Sequence, residues 1–127
     1  MSEKTKKAMK IRSNEVCPNC AETILLTYAK ELGLTKKQAT SLGTNLGGGM
    51  KGGSVCGAVT SALLVLGALG VTDPKIVGEF QRRVKEKHGG MIDCADLLKA
   101  NFKAGGQKKP HCDAMICEAI ELIEEYR

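Results

Sequence analysis

The stretch Gly47–Gly70, GGGMKGGSVCGAVTSALLVLGALG, constrains this chain more than any other. A glycine loop runs into a segment that is apolar on every side, and a helix of that kind has to be covered by protein or by lipid. The run after Ser54 is too short and too often broken by glycine for a bilayer span, which takes roughly 18 apolar residues. It predicts a core helix over about residues 54–69 with the rest of the chain packed around it. Ser54 is a good N-cap and places Cys56 in the first turn, where unpaired N–H groups and the positive end of the helix dipole favour thiolate over thiol. Gly57 and Ala58 leave room for another backbone or a second sulfur to come close.

The flanking segments read as helices too. Ala21, Ile24, Leu25, Tyr28, Ala29 and Leu32 follow helical spacing behind Val16-Cys17-Pro18-Asn19-Cys20, with Cys17 at the cap, Pro18 opening the helix and Gly33 ending it. Thr35 caps a weaker helix through Ala39 and Leu42. Thr72 or Asp73 with Pro74 starts a helix whose Ile76, Val77, Phe80 and Val84 face inward and which stops at His88-Gly89-Gly90. Asp93 caps a short helix, Cys94 to about Ala100, with Asp96 in capping-box position. The last helix starts at Pro110 and gathers Cys112, Met115, Ile116, Ala119, Leu122, Ile123 and Tyr126 on one face. No stretch alternates like a strand, so the expected fold is all-α, a single-domain bundle of five or six helices over residues 14–127.

The formal charge of +5 is concentrated at one end. Lys4, Lys6, Lys7, Lys10 and Arg12 against Glu3 give residues 1–12 a net +4 and leave +1 for the rest. Residues 1–13 therefore read as a solvated, frayed basic tail. Aromatic residues make up 3% of the chain, too few to stack bases, so a nucleic-acid partner is not expected. No apolar run is long enough to span a membrane, and no secretory leader pattern opens the chain, which points to the cytoplasm. Thiol buffers there keep cysteines reduced, so the six present here point to catalytic, redox-sensing or metal-binding roles rather than to structural disulfides.

On these helices Cys20, Cys56, Cys94 and Cys112 each fall in the first turn of a different element. All four positions favour a thiolate. If the helix starts converge, they form an electropositive pocket lined with sulfur, suited to thiol–disulfide exchange or to holding a soft metal or an iron–sulfur cluster. A lone reduced cysteine is more often a small core hydrophobe. Four of them at helix starts are not explained by packing alone. Cys117 turns away from the Cys112 face. Cys17, three residues before Cys20, is placed to resolve a disulfide there.

Other motifs carry less. Cys17-x-x-Cys20 has thioredoxin-like spacing without the preceding strand, and Cys17, Cys20, Cys112 and Cys117 make a poor zinc knuckle. The loop Gly48, Gly49, Gly52, Gly53 and Ser54 lacks P-loop spacing; it is a candidate anion cradle at a helix start, or a place where backbone passes closely under the cysteines. His111 reads as solvated, and His88 as a favourable charge at a helix end.

Asn19-Cys20-Ala21-Glu22, Gly47-Gly48-Gly49-Met50 leading to Val55-Cys56-Gly57-Ala58, Gly90-Met91-Ile92-Asp93-Cys94 with Leu97-Leu98, and Cys112 before the last helix resemble the redox-active family named for its C_GCAxxG_C_C cysteine pattern. The resemblance runs from about Val16 to the C-terminus. It implies a small helical protein whose characteristic cysteines are Cys20, Cys56, Cys94 and Cys112. Ser61 stands where the family's element ends in glycine, and Cys17 and Cys117 are additions.

Three function classes fit these residues. The first is a thiol redox protein in which Cys20 and Cys56 react, Cys94, Cys112 and Cys17 belong to the same site, and the partner is a redox protein or a small-molecule thiol. The second is an iron–sulfur or zinc protein with a four-thiolate site made by Cys20, Cys56, Cys94 and Cys112. The third is a helical interaction module with cysteines in its core. A homodimer is compatible with each.

Overall fold

The computed structural model describes residues 2–127. Among them the chain is all-α, with eight helices: α1 Glu3–Arg12, α2 Cys20–Thr27, α3 Ala29–Leu32, α4 Lys36–Thr44, α5 Gly57–Ala68, α6 Pro74–Lys87, α7 Cys94–Lys103 and α8 Lys108–Tyr126. The sequence pattern predicts five or six. One of the extra helices comes from a break at Tyr28, where φ of −104° separates α2 from the single turn α3. Another is α1.

Residues 1–13 read as a frayed tail in the sequence, yet Glu3–Arg12 is helical and capped by Ser2, whose side chain accepts from the Thr5 N–H. Thr5, Ala8 and Arg12 form its buried edge, and the helix packs on α2 and α8. The helix puts only Ala8 and part of Met9 against the core and is anchored by its cations, Lys4 pairing with Glu31. The Arg12 Nε–H donates to Asp113 Oδ1 at 2.6 Å, and its guanidinium also donates to the Pro18 carbonyl at 2.5 Å.

The apolar helix differs from expectation in three ways. It begins at Gly57 rather than Ser54, because Ser54 to Cys56 stay extended to pair with Ile92 to Cys94. It is not covered all round, since Leu64 is 51% exposed and Gly67 and Ala68 share that open strip. The element packed against most of the others is α2, which meets α1, α4, α5 and α8. Two threonines inside α2, Thr23 and Thr27, are fully buried and satisfy their hydroxyls on the carbonyls of Asn19 and Thr23, one turn back. Gly43 lets α4 lie directly on α2, for a Cβ there would fall 2.6 Å from the Glu22 backbone.

Several helix ends follow the expected chemistry. Thr35 and Gln38 form a reciprocal capping box, Asp73 caps α6 ahead of Pro74, and Gly33 ends α3 in the left-handed region. Asp93 precedes α7 but makes no side-chain cap bond, so the expected box with Asp96 does not form. The core is built from Ile24, Leu25 and Tyr28 of α2, Val59, Val65 and Leu66 of α5, Phe80 and Val84 of α6, and Met115, Ile116, Ile120 and Ile123 of α8. Among the described residues no helix is long and apolar enough to cross a membrane.

Candidate functional site

Cys20 is the first residue of α2. Asn19 caps the helix in place of Cys17: its Oδ1 accepts from the Glu22 N–H and Glu22 Oε1 accepts from the Asn19 N–H, both at 2.8 Å. The second carboxylate oxygen of Glu22 accepts from the Thr44 hydroxyl at 2.9 Å, which ties this helix start to the end of α4. The Cys20 sulfur then lies against Gly57, where an added Cβ would sit 2.7 Å from it.

Cys56 and Cys94 are brought together by backbone pairing. An isolated antiparallel bridge joins Val55 to Asp93, the Cys56 N–H donates to the Ile92 carbonyl at 3.0 Å, and the Cys94 N–H donates to the Ser54 carbonyl at 2.7 Å. Side chains alternate across extended backbone, so Cys56 and Cys94 project from the same face of this short pairing, as diagonal neighbours. Cys112 approaches from α8. That helix starts at Lys108, two residues before Pro110, which leaves Cys112 in the second turn instead of the first.

All four cysteines, together with Cys17, line one open cleft of about 560 Å³. Cys17 is exposed, outside any helix, and its thiol donates to the Pro18 carbonyl at 3.6 Å. It also borders a second cavity of about 480 Å³ shared by Ile11, Val16 and Leu26. Cys117, expected to point outward, is partly buried on α8 away from the cleft. All six cysteines are free thiols.

The electrostatics set Cys20 apart. A hydrogen bond from the Cys56 thiol lowers it to about 6; the N–H groups of Ala21 and Gly48 and the Arg12 charge act in the same direction, against the cost of burial. Cys56, only 6% exposed, is held protonated by that same hydrogen bond to the Cys20 thiolate and by burial. Burial also raises Cys94 and Cys112, with the Cys20 charge adding to both and the Lys108 charge opposing it. Cys117 is raised by burial and then by Asp113 and Glu121. The result is one thiolate facing a cleft whose other three helix-associated cysteines stay protonated.

The glycine loop is a left-handed turn that leads into extended backbone rather than directly into a helix start. Gly48, Gly49, Met50, Lys51 and Gly53 all have positive φ, and the Ser54 N–H closes the turn on the Gly49 carbonyl at 3.0 Å. Met50 (φ 57°) and Lys51 (φ 60°) are strained there by about 1 kcal/mol each or somewhat more. The turn presents the Gly48 N–H to the Cys20 sulfur and the Lys51 side chain to the cleft. Gly49, Gly52, Gly53 and Ser54 do not line it. Ser54 uses its carbonyl for Cys94 and so does not cap a helix.

No three Cys, His, Asp or Glu side chains among the described residues are grouped to hold a metal ion. The four cysteines share the walls of a cleft rather than a single coordination shell. Arg12, Lys51 and Lys108 also line the cleft without a signal in the sequence pattern, Arg12 standing in the basic segment 1–12 and the two lysines in polar, glycine-containing stretches. His111 lines the cleft, and burial lowers it. His88 closes α6 and pairs with Glu118 at 2.8 Å.

A family model described as "Putative redox-active protein (C_GCAxxG_C_C)" matches residues 18–126. The chain belongs to this family. Its matched segment holds Cys20, Cys56, Cys94 and Cys112 and begins one residue after Cys17. Where the C_GCAxxG_C_C pattern has its closing glycine, the Ser61 of this member is buried and turns its hydroxyl onto the Gly57 carbonyl at 2.6 Å, so the hydroxyl is satisfied within its own helix. No curated protein and no solved structure matches the chain.

Proposed function

We propose that this family member carries out thiol–disulfide exchange, with Cys20 as the attacking thiolate and Cys56 as the resolving thiol. The placement of Cys20 and Cys56 side by side in one open cleft carries the reading: the Cys20 sulfur lies against Gly57, the neighbour of Cys56, and Cys20 is lowered while Cys56 is raised. The Cys20 thiolate attacks one sulfur of a disulfide, forms a mixed disulfide with that half and expels the other half as a thiolate. Cys56 then attacks Cys20 Sγ and passes its proton to the departing second thiolate. The external disulfide gains two electrons and becomes two thiols, and the cysteine pair becomes a disulfide. The reverse sequence oxidises thiols.

Its lowered value gives Cys20 high thiolate content near neutral pH while keeping it nucleophilic, since the best attacking thiol has a pKa close to the ambient pH. A reducing compartment such as the cytoplasm would hold the pair in the dithiol form that attacks an external disulfide. The test is trapping. Mixed with a small disulfide, Cys56→Ser should accumulate a mixed disulfide on Cys20, and the unaltered protein a Cys20–Cys56 disulfide, both read by peptide mapping. Trapping at another cysteine, or an unlinked Cys56 after oxidation, contradicts the assignment.

A further inference from the structure

We infer that the cleft selects low-molecular-weight disulfides whose halves carry carboxylates, with Lys51 and Lys108 as the residues that recognise the charge. The inference rests on the exchange reading above and adds the substrate class. Four permanent cations, Arg12, Lys51, Lys108 and Lys109, reach one cleft with Cys20 in its wall. Two of the four are already engaged, because Arg12 and Lys109 both pair with Asp113, at 2.6 and 3.2 Å. The acidic side chain of the cleft, Glu22, is held by the Asn19 N–H and the Thr44 hydroxyl. Lys51 and Lys108 form no ion pair among the described residues and are exposed at the cleft.

The two lysines reach the cleft from different elements. Lys51 is set there by a left-handed turn that an ordinary side chain adopts only under strain. Lys108 opens α8, one turn before Cys112, and so shares a face with it. A cavity of about 560 Å³ suits a small molecule of peptide size rather than a flat protein surface. The charge pattern thus favours an approaching disulfide with anionic ends. It also stabilises the anionic thiol that exchange releases.

The test is a charge series on the fully reduced chain. Rates of reduction of glutathione disulfide (net anionic), 2-hydroxyethyl disulfide (neutral) and cystamine (cationic) are each divided by the rate of the same disulfide with free 2-mercaptoethanol. The expected order is anionic, neutral, cationic, with the first two separated by about tenfold at low salt, the lower end of electrostatic steering. In about 1 M salt, where charges are screened within about 3 Å, the order should collapse. The double variant Lys51→Asn, Lys108→Gln should lower the anionic-to-neutral ratio toward one; both sites are exposed, and Asn tolerates the left-handed backbone. A flat or reversed order with exchange running overturns the substrate class, and the charge series decides this without any variant. A ratio unmoved in the double variant overturns the assignment to these lysines. Failure of all three disulfides to react overturns the exchange reading and this inference with it.

Discussion

Gly57 lies so close to Cys20 that a methyl group in its place would fall 2.7 Å from the Cys20 sulfur and 2.7 Å from the Leu46 carbonyl oxygen. The carbonyl is backbone and cannot swing away, so the sulfur and the turn after α4 must both shift. Gly57→Ala is expected to lower stability by about 1–3 kcal/mol, as overpacking does, despite alanine's better helix propensity. It should also raise the Cys20 value by parting it from Cys56. Denaturant midpoints and the pH dependence of alkylation check the two effects together.

Arg12 joins α1, the segment around Pro18 and α8 through one guanidinium. Breaking a fully buried pair costs about 3–5 kcal/mol, but Asp113 is partly exposed and keeps Lys109. Arg12→Met should therefore cost about 1–3 kcal/mol, near the cost of leaving buried acceptors unsatisfied. Because the Arg12 charge also lowers Cys20, this variant should shift thiol titration upward, whereas a purely structural role would leave it unmoved.

Between them, Cys20 and Cys56 should make the reduced protein most stable near the free thiol value of about 8.5. Cys20 is depressed on folding, so its contribution is complete above the unfolded value of about 8.5 and is lost progressively as pH falls from there to about 6. Cys56 is raised on folding, so above about pH 8.5 the unfolded chain releases its proton more readily and stability falls again. Each of these two thiols contributes a limiting slope of about 1.4 kcal/mol per pH unit, and the raised Cys94, Cys112 and Cys117 steepen the alkaline arm. Cys20→Ser should abolish the acid arm that this group contributes in unfolding measured from pH 5 to 9.

Lys51 adopts φ 60°, a region asparagine enters more easily. Lys51→Asn is expected to raise the thermal midpoint, by an amount equivalent to roughly 0.5–1 kcal/mol, because it relieves backbone strain at an exposed position. Its accompanying loss of preference for anionic disulfides would make the residue a site where stability is sacrificed for charge.

The sequence made the helices legible wherever an apolar face repeated or a cap stood at its end. Thr35, Asp73 with Pro74, and Gly33 all mark real boundaries. Its cysteine pattern also selected the four side chains that meet at the cleft. Three features were hidden for physical reasons. Helix α1 is held by the ion pairs of Lys4 and Arg12 more than by an apolar stripe, so periodicity does not register it. The late start of α5 depends on pairing with residues about 40 positions away, which local capping rules do not see. Lys51 acts through a strained turn, and polar residues in a glycine-rich loop carry no sign of where they point.

The central claim is that one cysteine of the cleft is a thiolate at neutral pH and that its neighbour stays protonated beside it. Alkylation of the reduced protein across pH 4 to 10, with each of the six cysteines followed separately by peptide mapping, measures this most directly. The account predicts that Cys20 is modified first, with a midpoint near 6, and that Cys56 remains unmodified until Cys20 is blocked or the chain unfolds. A Cys20 midpoint at or above the free thiol value of about 8.5, or modification of Cys56 ahead of it, would contradict the account.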